Sequence, residues 1–483
     1  MVFSSPIFLF GFLPIALITY YLSSKKIRNI VLLLMSLFFY AWGEVFYIGV
    51  MITSIISNYI IGKLIYNSWK NFNTRNFPQI YLIIGILVNI GLLISFKYAN
   101  FIVFNINGLF SIVNISPFVL CPIHLPLGIS FFTFQAISYI VDVYRKEVPA
   151  QMNIYNLALF ISLFPQLIAG PIVRYNNVLF QITDRCHSLE LFSSGAQRFI
   201  IGLAKKMVIA NPLGEIADNV FALSGNSLTM PLAWIGIVSY TLQIYFDFSG
   251  YSDMAIGLGR MFGFQFRENF NYPYIARSLR EFWRRWHISL SSWFKDYVYI
   301  PLGGSRVSTI RVYCNLIIVF LLTGIWHGAS WNFVVWGLFH GFFLASEHKG
   351  FSIILERTWQ PIQHLYTILV IIVSWVLFRA DTLTQALEYF KAMTNIANWH
   401  TTTFQFAQIR SNESIYVFAM GLFFSMPIYR WLKKYLNYHS ENNVIKKIYL
   451  INIPRLMFYC LLLMLSILKI SSSTYNPFIY FRF

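Results

Sequence analysis

Two histidines, each preceded by a tryptophan, carry the chemistry most readily read from this chain. His327 stands in LLTGIWHGASWNF, where one apolar helix is predicted to end and the next to begin. His287 stands in RRWHISLSSW, a segment rich in arginine and aromatic residues. A neutral imidazole can take the proton from a hydroxyl as that hydroxyl attacks an acyl carbon, typically for about 10²–10⁴-fold. Burial disfavours the imidazolium form, so a ring in apolar surroundings stays neutral and able to accept. An ionisable residue inside a membrane span is costly, which makes it a functional candidate. The competing role is a hydrogen-bonded packing residue, and His340 in WGLFHGFF fits it. At His327 the flanking Gly324 and Gly328 argue for a ring beside open space, because they let a ligand or a backbone come close.

Other chemistries lack a pattern. There is no H-E-x-x-H, G-x-S-x-G or Walker A sequence, so zinc peptidase, serine hydrolase and nucleotide-driven readings have no support. Asp142, Glu147, Asp247 and Asp253 stand singly near the ends of apolar runs, with no paired-carboxylate site among them. Cys121, Cys186, Cys314 and Cys460 are far apart and form no C-x-x-C pair. Neither a metal site nor a disulfide framework is expected.

The elements that must position these residues are set by composition. Of 483 residues 57% are apolar and 11% charged, whereas soluble domains carry about 25% charged residues. A soluble enzyme and a disordered chain are both excluded. The net charge of +18 comes from 36 Lys and Arg against 18 Asp and Glu. These cations lie mostly between apolar runs, as the positive-inside rule places them, and no nucleic-acid module is present. The first apolar stretch is followed, not preceded, by Lys25, Lys26 and Arg28, which predicts a retained helix rather than a signal peptide. Further spans are predicted at roughly 29–41, 44–65, 79–96, 100–118, 126–143, 153–173, 230–249, 309–326, 331–347, 363–379, 413–429 and 454–471, the length that crosses the hydrocarbon being about 20 residues. Some carry Gly and Pro and are expected to be broken. The expected fold is all-α and polytopic, with about 10–13 membrane helices in one unit. Arg430, Lys433, Lys434, Lys446, Lys447 and Arg455 against Glu441 make the loop before the last helix cytoplasmic, so both termini are expected outside. Between Arg260 and Arg311 lie nine cations and three acids with aromatics interleaved. Phe282, Trp286, Leu290 and Trp293 would share one face of an amphipathic helix at the cytoplasmic interface.

Several stretches together carry a resemblance: LPLGISFFTFQAISYIVDVYR, LFPQLIAGPIVRY, YFDFSGYSDMAIGLGRMFGF, NFNYPYIARSLREFWRRWHISLSSWFKDYVYIPLGGSR, LLTGIWHGASWNFVVWGLFHG and WVLFRA. They resemble the membrane-bound O-acyltransferase family, in its bacterial branch of alginate and peptidoglycan O-acetylation proteins. The similarity runs from the first helix to about residue 395. It implies a ring of tilted helices around a thin central tunnel that links a cytoplasmic donor side to an outer acceptor side. The family's catalytic histidine would fall on His327 and its second polar position on His287.

The closing FIYFRF, within the tail 472–483, is similar to the terminal motif of a small membrane protein that accompanies teichoic-acid D-alanylation. That similarity implies Tyr480 as a carrier of the acyl group; an interfacial aromatic anchor is the other role open to it. On this reading acetyl-CoA, with no tightly bound cofactor, meets the basic 260–311 region. Arg284, Arg285 and Lys295 take its phosphates, or serve ordinary topology and lipid headgroups. His327 is the general base, and His287 orients the thioester or stabilises the oxyanion. The expected partners are membrane lipids, an envelope polysaccharide and an exported serine esterase-like transferase, in a bacterial inner membrane. D-alanyl transfer to an envelope polymer is the alternative. A flippase would predict internal repeats, which are not seen. A scaffold would have no need of the two histidines.

Overall fold

A computed structural model describes residues 1–70, 77–399, 412–428 and 452–478. Tyr480 and the basic run from Arg430 to Lys447 lie outside the described residues. All regular structure among the described residues is helical. Among the described residues, five helices are long and apolar enough to cross a membrane: Ile48–Lys70, Phe77–Ile112, Thr309–His327, Gln360–Arg379 and Ile453–Ser472. Four shorter apolar helices, Ile7–Leu22, Arg28–Ala41, Ile129–Tyr144 and Glu413–Ser425, join them.

The chain forms two compact units. One comprises residues 1–195, 255–267 and 328–330, and the other 196–254, 268–327 and 331–483. In the first, Ile129–Tyr144 is buried on nearly every side, and it takes Ser130, Thr133, Gln135, Ser138 and Asp142 out of solvent along with its apolar residues. It packs against Ile48–Lys70 and Phe77–Leu93. Those two are joined by reciprocal amide bonds of Asn58 and Asn89, at 3.0 and 2.8 Å. Without water, such polar pairs hold helices together where the hydrophobic effect cannot. The expected span at 153–173 is broken: Ile154–Ser162 stops at Leu163, and Phe164–Leu167 restarts with Pro165 in its first turn.

Met230–Met261, whose residues up to Met254 belong to the second unit, runs 32 residues, well past the predicted end at 249. Thr309–His327 and Trp331–Ser346 form a tight hairpin. A Cβ on Gly324 would lie 2.2 Å from the Phe333 carbonyl oxygen, and one on Gly337 would lie 2.4 Å from that of Phe320. Gly324 therefore admits a neighbouring backbone rather than open space. The predicted single amphipathic helix through His287 is also corrected. Leu279–Arg285 and Ile288–Phe294 are separate helices, with Trp286 extended and His287 left-handed at φ 43°. Phe282, Trp286, Leu290 and Trp293 are nonetheless all buried.

Candidate active site

The break at His287 has an identifiable cause. Asn269, in the loop before the two short helices, accepts through its backbone carbonyl from Ile288 N–H at 2.9 Å. Its side-chain Oδ1 lies 3.1 Å from His287 Nδ1 and accepts from the Ser289 N–H at 3.2 Å and Oγ–H at 2.9 Å. A backbone donor on Oδ1 fixes which way the amide points. Nδ1 of His287 therefore carries the proton, and Nε2 carries the lone pair. Asn269 Nδ2 is anchored in turn on Ser252 Oγ at 3.0 Å. His287 is fully buried, and Nε2 has no hydrogen-bond partner among the described residues. Burial pushes its pKa down to about 3. A bare Nε2 is an acceptor, so the expected donation to an oxyanion from this atom would require a proton that the surroundings oppose. The orienting role is the one this geometry suits.

His327 ends the Thr309–His327 helix and is 5% exposed. It is enclosed by aromatic edges: Trp336 at 5.2 Å and Phe378 at 5.1 Å between ring centroids, and its neighbour Trp326 at 4.9 Å. Trp326 also stands 6.2 Å from the His287 ring, and Phe248 meets that ring edge-on at 4.6 Å. Ile244, Phe248, Trp286, His327, Trp336, Trp375 and Phe378 line one small cavity of about 10 Å³, around the least that admits a single water. The two histidines thus share a wall, Phe248 and Trp326, although 40 residues of chain separate them. His340 is a packing residue: its Nδ1 accepts the Trp283 indole N–H at 3.4 Å.

The basic segment divides. Arg280, Arg284 and Lys295 line a cavity of about 230 Å³ whose other walls include Trp283, Phe294 and Phe320. Arg285 is not among its lining residues. Its guanidinium pairs with Glu281 at 2.8 Å and donates to the Asn271 carbonyl at 3.1 Å, tying the preceding loop to the helix. Burial would raise the Glu281 pKa, but the Arg277 N–H and the Arg285 charge hold it below the usual glutamate range. Ser278 caps this helix by accepting from Glu281 N–H at 3.1 Å. Glu347 accepts from the N–H groups of Leu279 and Arg280, at 2.8 and 3.1 Å, where the helix dipole favours a carboxylate. Sequence reading missed Asn269, Phe248, Trp375 and Glu347. The first three lie in stretches it singled out as motifs, while Glu347 gives no local signal.

The arrangement is a buried imidazole at the edge of an aromatic cavity, a second imidazole held in one tautomer nearby, and a largely apolar pocket among whose lining residues are three cations. It suits general-base acyl transfer. Comparison with known proteins agrees on acyl transfer. The membrane-bound O-acyltransferase family model matches residues 143–385, a range that includes both histidines. The chain is 42% identical, over 100% of both chains, to a protein of Azotobacter vinelandii named a probable alginate O-acetylase. It is 38% identical to the peptidoglycan O-acetyltransferase of Helicobacter pylori, over 82% of this chain and 80% of the relative. It is 28% identical to the teichoic acid D-alanyltransferase of Bacillus subtilis, over 52% and 65%. The chain belongs to the membrane-bound O-acyltransferase family.

Proposed function

We propose that this protein moves an acetyl group from a cytoplasmic donor across the membrane for O-acetylation of an extracytoplasmic polysaccharide. The observation that carries this reading is His327, buried at the edge of an aromatic cavity whose Phe248 wall also meets the oriented ring of His287. Relatives named for acetyl transfer match more of the chain than the D-alanyl relative does, which favours acetyl over D-alanyl.

The donor is acetyl-CoA, its phosphates taken by Arg280, Arg284 and Lys295, which are among the residues lining the larger pocket. His327 takes the proton of the attacking hydroxyl as its oxygen bonds to the thioester carbonyl carbon. The C–S bond then breaks, and the thiolate leaves with the donor. Nε2 of His287 accepts a hydrogen bond that orients a reactant. The first attacking hydroxyl is that of Tyr480, a phenol acidic enough, with a pKa near 10, to be activated by a neighbouring base. The resulting aryl ester passes its acetyl group to an exported serine esterase-like transferase or to a sugar hydroxyl. The protein sits in a bacterial inner membrane with both termini outside.

The test is polymer O-acetylation in whole cells with His327→Ala and Tyr480→Phe, each checked for abundance in the membrane. Acetylation is expected to be lost in both. Retained acetylation with His327→Ala overturns the mechanism. Retained acetylation with Tyr480→Phe removes only the relay.

A further inference from the structure

Beyond the Ile453–Ser472 helix, residues 473–478 have no regular structure, yet the groups they offer are taken by the second unit. Tyr475 donates its hydroxyl to Asp218 Oδ2 at 2.6 Å. Asn211 Nδ2 donates to the Tyr475 carbonyl at 3.1 Å and to Asn476 Oδ1 at 3.4 Å. Lys206 Nζ donates to the Pro477 carbonyl. Phe478 is 2% exposed and stacks on Tyr251 with ring centroids 4.6 Å apart.

The receiving groups are buried and charged. Lys206 and Asp247 are 3% and 1% exposed and pair at 2.7 Å. A buried ion pair repays its desolvation only when its remaining donors are also satisfied. An ammonium has three donors, and the tail carbonyl takes one of them. Asp218 is held from its other side, where Oδ1 accepts from Arg379 at 2.5 Å. A tail that only needed burying would ask for apolar surface, not for these charges.

The location links this contact to the histidines. Tyr251 lies three residues from Phe248 on Met230–Met261, so the two share a helix face. Phe248 meets His287 and lines the His327 cavity. Arg379 directly follows Phe378, which lies against the His327 ring.

We propose that Lys206, Asn211 and Asp218 form a seat for the segment Tyr475–Phe478, and are positioning residues that hold that segment beside the wall of the histidine cavity. The seat stands on its own contacts; the positioning role rests on the transfer reaction proposed above. Tyr480 follows Phe478 by two residues, a tether of at most about 7 Å.

The test is amide hydrogen exchange of the full chain in detergent, read alongside acetylation in cells. The amides of Tyr475, Asn476 and Phe478 are expected to be protected in the wild type. Tyr475→Phe removes one hydroxyl and Asp218→Ala its acceptor; each is expected to speed their exchange about tenfold and to lower acetylation comparably. Asp218→Asn, whose single acceptor oxygen can serve Tyr475 or Arg379 but not both, is expected to fall between wild type and Asp218→Ala in both readings. Unprotected amides in the wild type, or protection unchanged by Tyr475→Phe and Asp218→Ala, overturn the seat. A loosened tail with wild-type acetylation overturns the positioning role. His327→Ala is expected to leave tail exchange unchanged, so an active His327→Ala protein overturns the transfer mechanism without touching the seat.

Discussion

Asn269 holds His287 through a single oxygen: Oδ1 lies 3.1 Å from Nδ1 and takes the Ser289 N–H as well. Asn269→Ala removes the acceptor that fixes the tautomer and leaves a buried backbone donor unsatisfied, a loss of about 1–3 kcal/mol. Acetyl transfer, normalised to protein in the membrane, is expected to fall about tenfold or more. Asn269→Asp, which restores an acceptor, is expected to recover more activity than Asn269→Ala. Equal rates for the alanine variant and wild type would show that the tautomer does not matter.

The depressed pKa of His287 gives a stability test with a definite sign. Unfolded, the ring takes up a proton below about pH 6.5; folded, burial delays this to about 3. Between those values the unfolded state binds more protons, so stability rises with pH. The contribution is full above about 6.5 and is lost on acidification, by at most about 1.4 kcal/mol per pH unit. The melting temperature of wild type minus that of His287→Gln, followed in detergent down to about pH 4, is therefore expected to shrink. The ring stays neutral throughout the working range. Any limb of the pH–rate profile near neutrality belongs to another group, and a limb that His287→Gln abolishes would contradict this assignment.

What was legible in the sequence was what depends on neighbours along the chain. Apolar runs gave the helices Arg28–Ala41, Thr309–His327 and Gln360–Arg379 within a few residues, because hydrophobic length sets a span. His287 was legible as a residue type but not as a break, since its left-handed backbone is imposed by Asn269, 18 residues away. Asp247 and Asp253 read as isolated acids. In the structure Lys206 neutralises the first, while Arg198 and Lys205 take the second at 2.6 and 2.7 Å. Burial would raise the Asp253 pKa, but those two cations hold it below the ordinary value. Their partners come from a helix some 40–55 residues earlier, which periodicity and spacing do not report. Gly324 carried a signal of close approach, but only the hairpin shows that the approaching group is another helix.

That hairpin predicts how His327 can be displaced without being touched. Gly337→Ala places a methyl 2.4 Å from the Phe320 carbonyl oxygen, and Gly324→Ala one 2.2 Å from that of Phe333. Both opposing atoms are backbone, so one helix must move. Transfer activity and melting temperature are expected to fall together in each variant. Gly341→Ala, whose nearest neighbour is Ile317 Cα at 3.1 Å, is expected to be milder. A Gly337→Ala protein with wild-type stability would mean that the two helices are not held at this distance.

The cations of the basic segment should separate by kinetics. Arg284 and Lys295 line the larger pocket, whereas Arg285 is spent on Glu281 and Asn271. If the pocket takes donor phosphates, Arg284→Ala and Lys295→Ala remove binding that is equal in ground and transition states. Each is expected to raise the KM for acetyl-CoA by roughly tenfold while leaving kcat close to wild type. The wild-type KM is expected to rise with salt, because a partly exposed charge pair is screened. Arg285→Ala instead unties the loop that carries Asn269 and Asn271. Its signature is lower membrane abundance and lower kcat, through a misplaced His287, with KM little changed. Assays on purified protein at two ionic strengths decide this: a KM effect confined to Arg285→Ala would move the donor away from the pocket and onto the loop.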